Sequence, residues 1–578
     1  YKVYSADGVF DASDETTKKL YLEKTAVLSD RVNLREDEYA KRLLSLASDG
    51  EHFGNLLFSD GRALNKSVKN NANLISKNRV VNKAALYISG HFLIAAAFAS
   101  AAGLLAGGLV RGIIAGVVAF AAFLPAAYSV NNYLFSHFVK KRPVMRTGYK
   151  EIPDFAKTDV VVPVFAGNAD SLKENLARLY ETYLANKGKN ATFTLLVDFK
   201  GSDKVRDDDD DKLYAAIETY GKKGVRVAVR RRSDNGEGGF SGRERKRGAV
   251  EDYAKFLYDG NNENFCYLSE KEWGKPEFFI VLDADSVLAP GSVLDAVNAL
   301  LHPMNEKFDL LAFDGKTDAF SLESLYSRLF YGGDGYEKYP SYSSLFFDVT
   351  GRALFTGKGI FRLESYVRKL YGRLPEKRIL SHDILEGAVL ETGRAGVSVY
   401  ESVPLSFASD EERRMRWTRG DIQLLPFLNF AKSDDKKDKI PFFYAYIMFF
   451  NAISVLSAPA YAVLFALAAA FSNVNLAIIS AVTFFADFVI SAADNFFAAF
   501  VNKRTFACIK DAATVFVRRL FALSVLPYAA VSDAVLFSVS CVKTALKRNL
   551  LKWKPFYAGK YEKKRAKVKP EIRQYLMG

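Results

Sequence analysis

A chain of 578 residues with a formal net charge of +14, 49% hydrophobic and 14% aromatic residues is too long for one ordinary core and not apolar enough to be membrane-embedded from end to end. The apolar residues must be sought in blocks, and the basic excess has to be located before it can mean nucleic acid, an anionic membrane surface or an anionic substrate. Cys266, Cys508 and Cys541 lie far apart, which argues against a disulfide framework or a cysteine metal site and points to a reducing compartment.

Residues 1–76 form a mixed, polar N-terminal cytoplasmic segment with one expected helix over 34–47, carrying Leu43, Leu44 and Leu46, and no assignable chemistry. The chain starts at Tyr1 instead of Met and has no signal peptide, as expected of a trimmed chain or a fragment. From residue 84 the character changes. Segments 84–109 and 112–138, broken by Arg111, are each long enough to cross a hydrocarbon core of roughly 30 Å and read as a transmembrane hairpin (84–138). Lys77, Arg79 and Lys83 precede it and Lys140, Lys141 and Arg142 follow it, so both ends are expected in the cytoplasm. Topology thus accounts for much of the basic excess, and no nucleic-acid partner is expected.

Residues 150–435 alternate strand-like and helix-like runs, the pattern of an α/β layer structure. Strands are expected at 159–165 (DVVVPVF), 192–198 (TFTLLVD), 225–229 and 278–282, with helices at 172–185 and 212–220. The acidic run 207–211 reads as a solvated loop, since five adjacent acids cannot all face one ion. The stretch FFIVLDADSVLAP at 278–290 is a buried strand ending in two aspartates. Asp283 and Asp285 sit where open α/β sheets bind ligands, and side chains two apart in extended backbone point the same way. They could share a divalent cation that also takes phosphate oxygens; the plainer reading is a helix cap or a solvent-facing pair.

Beyond Lys439, segments 442–471, with Pro459 inside, and 475–500 are a second pair of spanning candidates (442–500). They are flanked by Lys432, Lys436, Lys437 and Lys439 on one side and by Lys503 and Arg504 on the other, again placing the α/β region in the cytoplasm. Asp487 and Asp494 fall inside the last span, read either as a polar lining for a hydroxyl-rich substrate or, for Asp494, as an interfacial carboxylate. In 505–578 the charges Arg518, Arg519, Asp533 and Lys543 suggest amphipathic helices lying on the cytoplasmic face, followed from Lys547 by a basic tail suited to anionic headgroups.

A domain with paired aspartates, tethered between membrane segments, suggests a transferase using a nucleotide donor at the bilayer. In RERKRG (243–248), Lys246 and Arg247 stand before a helix where cations and a helix amino end could meet a diphosphate. In SHDILEG (381–387), Asp383 and Glu386 share one face of a helix start, and one of them could take the proton of an attacking hydroxyl. In RRMRWTRGD (413–421), Arg414 and Arg416 could neutralise a leaving diphosphate and Trp417 offers a flat face to a sugar ring; the alternative is a basic membrane-facing helix.

The order of Asp198, RERKRG, LDADS (282–286), FTGKGIF (355–361), RLPEKRILSHDILEG (373–387), RRMRWTRGDIQ (413–423) and LPYAAVSDAV (526–535) resembles the processive membrane-integrated inverting glycosyltransferases that include cellulose and hyaluronan synthases, and more closely the glycosyltransferase domain of cyclic β-1,2-glucan synthases. The motifs span most of residues 80–555. The resemblance implies a cytoplasmic, Rossmann-like GT-A domain at 150–435, inserted between transmembrane helices of the cell membrane. It implies that Asp198 contacts the donor's uracil or ribose, that Lys246 and Arg247 hold its diphosphate, and that Asp283 and Asp285 hold Mg²⁺ or Mn²⁺ on it. Asp383 takes the place of the catalytic base, with Ser-His-Asp where cellulose synthases have Thr-Glu-Asp. Arg414, Arg416 and Trp417 match the Q-x-x-R-W element closing over donor and acceptor, with Arg413 in place of its glutamine. Phe355, Thr356, Gly357, Lys358 and Gly359 stand where the family approaches the acceptor. The implied reaction is metal-assisted in-line displacement from UDP-glucose onto a growing β-1,2-glucan. Cyclic glucan synthases also carry a large phosphorylase-like region for which this sequence has no room, so a fragment or a linear-glucan synthase is expected. Four spans are few for a private channel, so a homo-oligomer, the amphipathic helices or another protein is expected to complete an export path. A transferase adding one sugar to a lipid or other acceptor, and an inactive nucleotide-sugar-binding scaffold, are the alternatives.

Overall fold

The computed structural model of the chain describes residues 1–47, 52–58, 64–65, 67–68, 83–234, 239–332, 344–431, 439–502, 505–548 and 550–551, without the side chains of 497–502 and 505–507. Lys77, Arg79, Lys432, Lys436, Lys437, Lys503, Arg504 and nearly all of the basic tail lie outside the described residues.

The α/β region is built on a nine-stranded sheet. Its strands are β1 (Thr158–Ala166), β2 (Ala191–Phe199), β3 (Arg226–Arg230), β6 (Phe265–Leu268), β7 (Phe278–Val281), β8 (Val287–Leu288), β9 (Leu310–Thr317), β10 (Gly359–Arg362) and β11 (Thr392–Glu401), while β4 (Ser233–Asp234) and β5 (Phe240–Ser241) form a separate ribbon. The order is β6-β3-β2-β1-β7-β10-β9-β11-β8. β1, β2, β3, β7, β9 and β11 run one way, and β6, β8 and β10 run against them. The central strands are continuous apolar runs because both faces are covered: Val160, Val161, Phe279 and Ile280 have no exposed surface. All four expected strands and both expected helices of this region are present, the helices as Ala169–Asn186 and Asp210–Tyr220. The first opens with a capping box, Asn168 accepting from the Ser171 N–H and the Ser171 hydroxyl accepting from that of Asn168, and buries Leu172, Leu176 and Leu179 on one face. The acidic run departs from a solvated loop at one position: Asp210 begins the second helix, buried against the Arg232 guanidinium at 2.6 and 2.7 Å.

The hairpin is formed by helices Lys83–Leu105 and Leu109–Phe138. His91, buried in its first arm, is 2.7 Å from the Tyr446 hydroxyl and 2.9 Å from the Leu124 carbonyl, tying the hairpin to the helix Phe442–Ser454. That helix meets Ser457–Ala470 at 50°, with Pro459 in the first turn of the second piece, where its missing N–H costs nothing. Val474–Phe484 and Ala486–Phe496 meet at 60°. Among the described residues three helices are long and apolar enough to cross a membrane, or up to five spans if each bent pair counts as one. The third is Leu526–Leu546, in the stretch whose charges suggested interfacial helices. Three of those four charges are satisfied inside the protein: Asp533 pairs with Arg414, Arg519 with Asp487, and Arg518 donates to the Leu329 carbonyl at 2.6 Å. The Arg519 pairing also gives Asp487 a partner of opposite charge.

The N-terminal segment has its own core of Tyr4, Phe10, Tyr21, Tyr39 and Leu43. It contains the helices Glu15–Arg31 and Glu36–Leu46, and leans on the α/β region through the Tyr21 hydroxyl at 3.1 Å from Met304 Sδ.

Candidate active site

The carboxyl end of β7 lies at the centre of the sheet between β1 and β10. The buried run stops after Leu282, and Ser286 turns the chain by accepting from the Asp283 N–H at 3.1 Å and donating its own N–H to the Asp283 carbonyl at 3.0 Å. Because β10 is antiparallel to β7, with Gly359 opposite Val281, the FTGKG loop enters the sheet just where β7 leaves it. Register alone therefore brings residues 355–359 to the aspartate pair. The Lys358 ammonium lies 3.1 Å from Asp283 Oδ2 and also contacts Glu401, the last residue of β11. Lys246, at the start of the helix Arg245–Asp259, contacts Asp283 Oδ1 and donates to the Gly357 carbonyl at 2.8 Å. The turn leading to Lys246 holds Glu244 and Arg245 both at φ 53°, a costly conformation for side-chain-bearing residues. Arg230 stabilises it from β3, donating to the carbonyls of Arg243 at 2.7 Å and Arg245 at 3.2 Å.

Three carboxylates thus meet two ammonium groups. Burial raises the Asp283 carboxyl, but Lys246 and Lys358 outweigh it and hold it far below the usual carboxylate range. Asp285 is pushed up to about 6 by burial, Glu401 and Asp283. Such residual negative charge on hard oxygen donors is what a divalent cation such as Mg²⁺ or Mn²⁺ relieves, which makes Asp283 and Asp285 candidate ligands with Glu401 near them.

Beside this cluster a small cavity is lined by Lys246, Phe355, Gly357, His382, Asp383 and Glu386. Asp383 and Glu386 stand in the first turn of the helix Asp383–Val389, on one face as expected. His382 Nδ1 lies 3.0 Å from Glu386 Oε1 and 3.5 Å from Asp383 Oδ1. Burial alone would lower the His382 pKa, but Glu386 and Asp383 raise it above the ordinary histidine value. The ligand atoms of His382, Asp383 and Glu386 all lie within 4.8 Å of one another, a second group able to take a cation or to share a proton. Gly357 separates them from Lys246. A Cβ there would lie 3.1 Å from both Lys246 Nζ and Asp383 Oδ2, and φ is +90°.

The RRMRW helix is Phe407–Gln423. It lies directly on the loop before Asp383: a Cβ on Gly420 would sit 2.0 Å from the Ser381 hydroxyl, and Gln423 Oε1 accepts from the Leu380 N–H at 2.9 Å. Arg413 stacks on Trp417 at 4.7 Å and donates to the Tyr331 hydroxyl at 3.0 Å, which supplies a role for the arginine in the glutamine's place. Arg416 and Trp417 are partly buried on the same helix.

Three expected ligand-binding side chains are engaged within the protein. Asp198 is forked by Arg230 at 2.8 and 2.6 Å. Arg247, 2% exposed, lines the inner wall of the cavity but is held by Glu244 at 2.5 Å and Glu251 at 3.2 Å. Arg414 is bound by Glu411 at 2.7 Å and by Asp533 of the last helix; burial works against its charge, and the two carboxylates more than restore it. Arg414→Ala is expected to destabilise the protein by about 1–3 kcal/mol. In thermal unfolding, its effect should add far less than independently to that of Asp533→Asn. Glu401 escaped the sequence reading, although it carries the same signal as Asp198 and Asp283: an acid at the carboxyl end of a strand.

No family model matches the chain. It is 29% identical over 339 residues, 53% of its length, to the cyclic β-(1,2)-glucan synthase NdvB of Rhizobium meliloti (strain 1021). The chain is thus related to the cyclic glucan synthases, and it covers 12% of that relative's length. Its helices long and apolar enough to cross a membrane mark a membrane protein.

Proposed function

We propose that the chain is an inverting glucosyltransferase of the GT-A type that polymerises β-1,2-glucan from UDP-glucose, with its α/β domain on the cytoplasmic side of the membrane. The observation that carries the reading is the convergence of Asp283, Lys246 and Asp383 around Gly357 at the carboxyl end of the sheet. The sheet supports the GT-A assignment, with one reversed strand, β10, set between β7 and β9. The basic residues flanking the apolar segments support the cytoplasmic side.

In this reading Asp383 takes the proton of the acceptor hydroxyl as its oxygen attacks the anomeric carbon, and the bond from that carbon to the diphosphate oxygen breaks. One displacement turns an α-linked donor into a β-linkage. Asp283 and Asp285, with Glu401 beside them, would hold Mg²⁺ or Mn²⁺; when bound, the cation supplies stabilisation of the charge on the departing diphosphate. Lys246 adds a mobile positive charge at the same place. Asp198, with Arg230 holding its carboxylate, borders the nucleoside end, and Arg247 contributes as a buried charge behind Glu386. Arg416 and Trp417 close the acceptor side, together with Phe355, Thr356 and Gly357. Incubation of the purified chain with UDP-[¹⁴C]glucose is expected to release UDP and build label into a polymer. A labelled single-sugar lipid, or no UDP release from any sugar donor, would overturn the polymerase.

A further inference from the structure

Lys358 has no part in the reaction described above, yet it is 5% exposed at the centre of the site. Its backbone is fixed on two sides: the carbonyl accepts from the Phe313 N–H at 3.1 Å, and the next residue is paired with Val281. Its ammonium bridges Asp283 Oδ2 and Glu401, while Lys246 occupies Asp283 Oδ1. Both oxygens of Asp283 are therefore engaged by ammonium groups. Burial, Glu401 and Asp283 push the Asp285 carboxyl up, and Lys358 works against them. With every group ionised, these side chains leave a single negative charge for an incoming cation.

We propose that Lys358 is a built-in counter-cation that keeps divalent metal out of the site until a nucleoside diphosphate arrives, so that metal and donor bind as a coupled pair. The proposal rests on the donor-metal reading of Asp283 and Asp285. A divalent cation entering alone must displace an ammonium from a buried ion pair and gains little net attraction. A diphosphate brings further negative charge and offers Lys246 another partner, which frees an oxygen of Asp283 for the metal. By linkage, the factor by which diphosphate tightens metal binding equals the factor by which metal tightens diphosphate binding.

The test is titration of the full chain in detergent with Mn²⁺, following the free-ion signal by electron paramagnetic resonance, with and without UDP. UDP is expected to tighten Mn²⁺ binding to the unaltered chain by at least ~10-fold, and Lys358→Met to raise the affinity without UDP by a similar factor. Lys358→Gln removes the ammonium while leaving Glu401 a hydrogen-bond donor, and is expected to bind Mn²⁺ without UDP more tightly than the unaltered chain. If Lys358→Met fails to fold, Lys358→Gln decides. Mn²⁺ binding that ignores UDP, or that is unchanged in both variants, overturns the proposal alone. No Mn²⁺ binding in any variant, even with UDP, overturns the donor-metal reading along with it.

Discussion

Asp383→Asn is expected to lower sugar transfer by about 10²–10⁴-fold while leaving UDP affinity within a factor of two. The amide has the shape of the carboxylate but cannot take a proton from the acceptor hydroxyl. Among its neighbours are His382 Nδ1 at 3.5 Å and Gly357, whose missing side chain leaves room beside the carboxylate. The groups assigned to the donor, Asp283, Asp285 and Lys246, are untouched. Calorimetry with UDP separates lost chemistry from lost binding, and full polymer synthesis by the purified variant would remove Asp383 from the role of base.

The second large effect is expected at Gly357. Alanine there would have to adopt φ +90° and insert a methyl group 3.1 Å from both Lys246 Nζ and Asp383 Oδ2. The backbone cost is about 1–3 kcal/mol, which a folded domain can bear. The displacement of the two charged groups is the graver consequence. Misplacement of reacting groups by roughly 1 Å costs on the order of 100-fold in rate, so transfer should fall by that factor while the protein still unfolds cooperatively near its usual temperature. Near-normal transfer by Gly357→Ala would mean that Lys246 and Asp383 do not work as neighbours.

The central strands were legible because a sheet covered on both faces demands unbroken apolar runs, and β1, β2, β3 and β7 have them. β10 is four residues long and β8 two, too short for any pattern to mark. That gap had a consequence. FTGKG was legible as a loop that lets a ligand come near, but its lysine reaches Asp283 only through the antiparallel pairing of β10 with β7. Lys358, expected near the acceptor, is paired with Asp283 and Glu401.

Lys246 and Arg247 illustrate a different limit. Adjacent residues on a helix point about 100° apart, so the two side chains of a basic pair set out in different directions. Lys246 faces Asp283, whereas Arg247 turns inward to Glu244 and Glu251. In the last helices, Asp533 and Arg519, which look like marks of an interface, are halves of ion pairs with Arg414 and Asp487, which lie outside their own helices. Charge counting along a segment cannot see such partners. The pairing of Asp383 with Glu386, by contrast, was legible from local spacing alone, since both fall in one helical turn.

The central claim, that this site joins glucose units from UDP-glucose through β-1,2 bonds, is tested most directly by methylation analysis of the polymer made by the purified chain from UDP-glucose alone. The expected product is glucan whose internal residues are substituted only at O2. Internal residues substituted at another oxygen, or a product without internal residues, would contradict it.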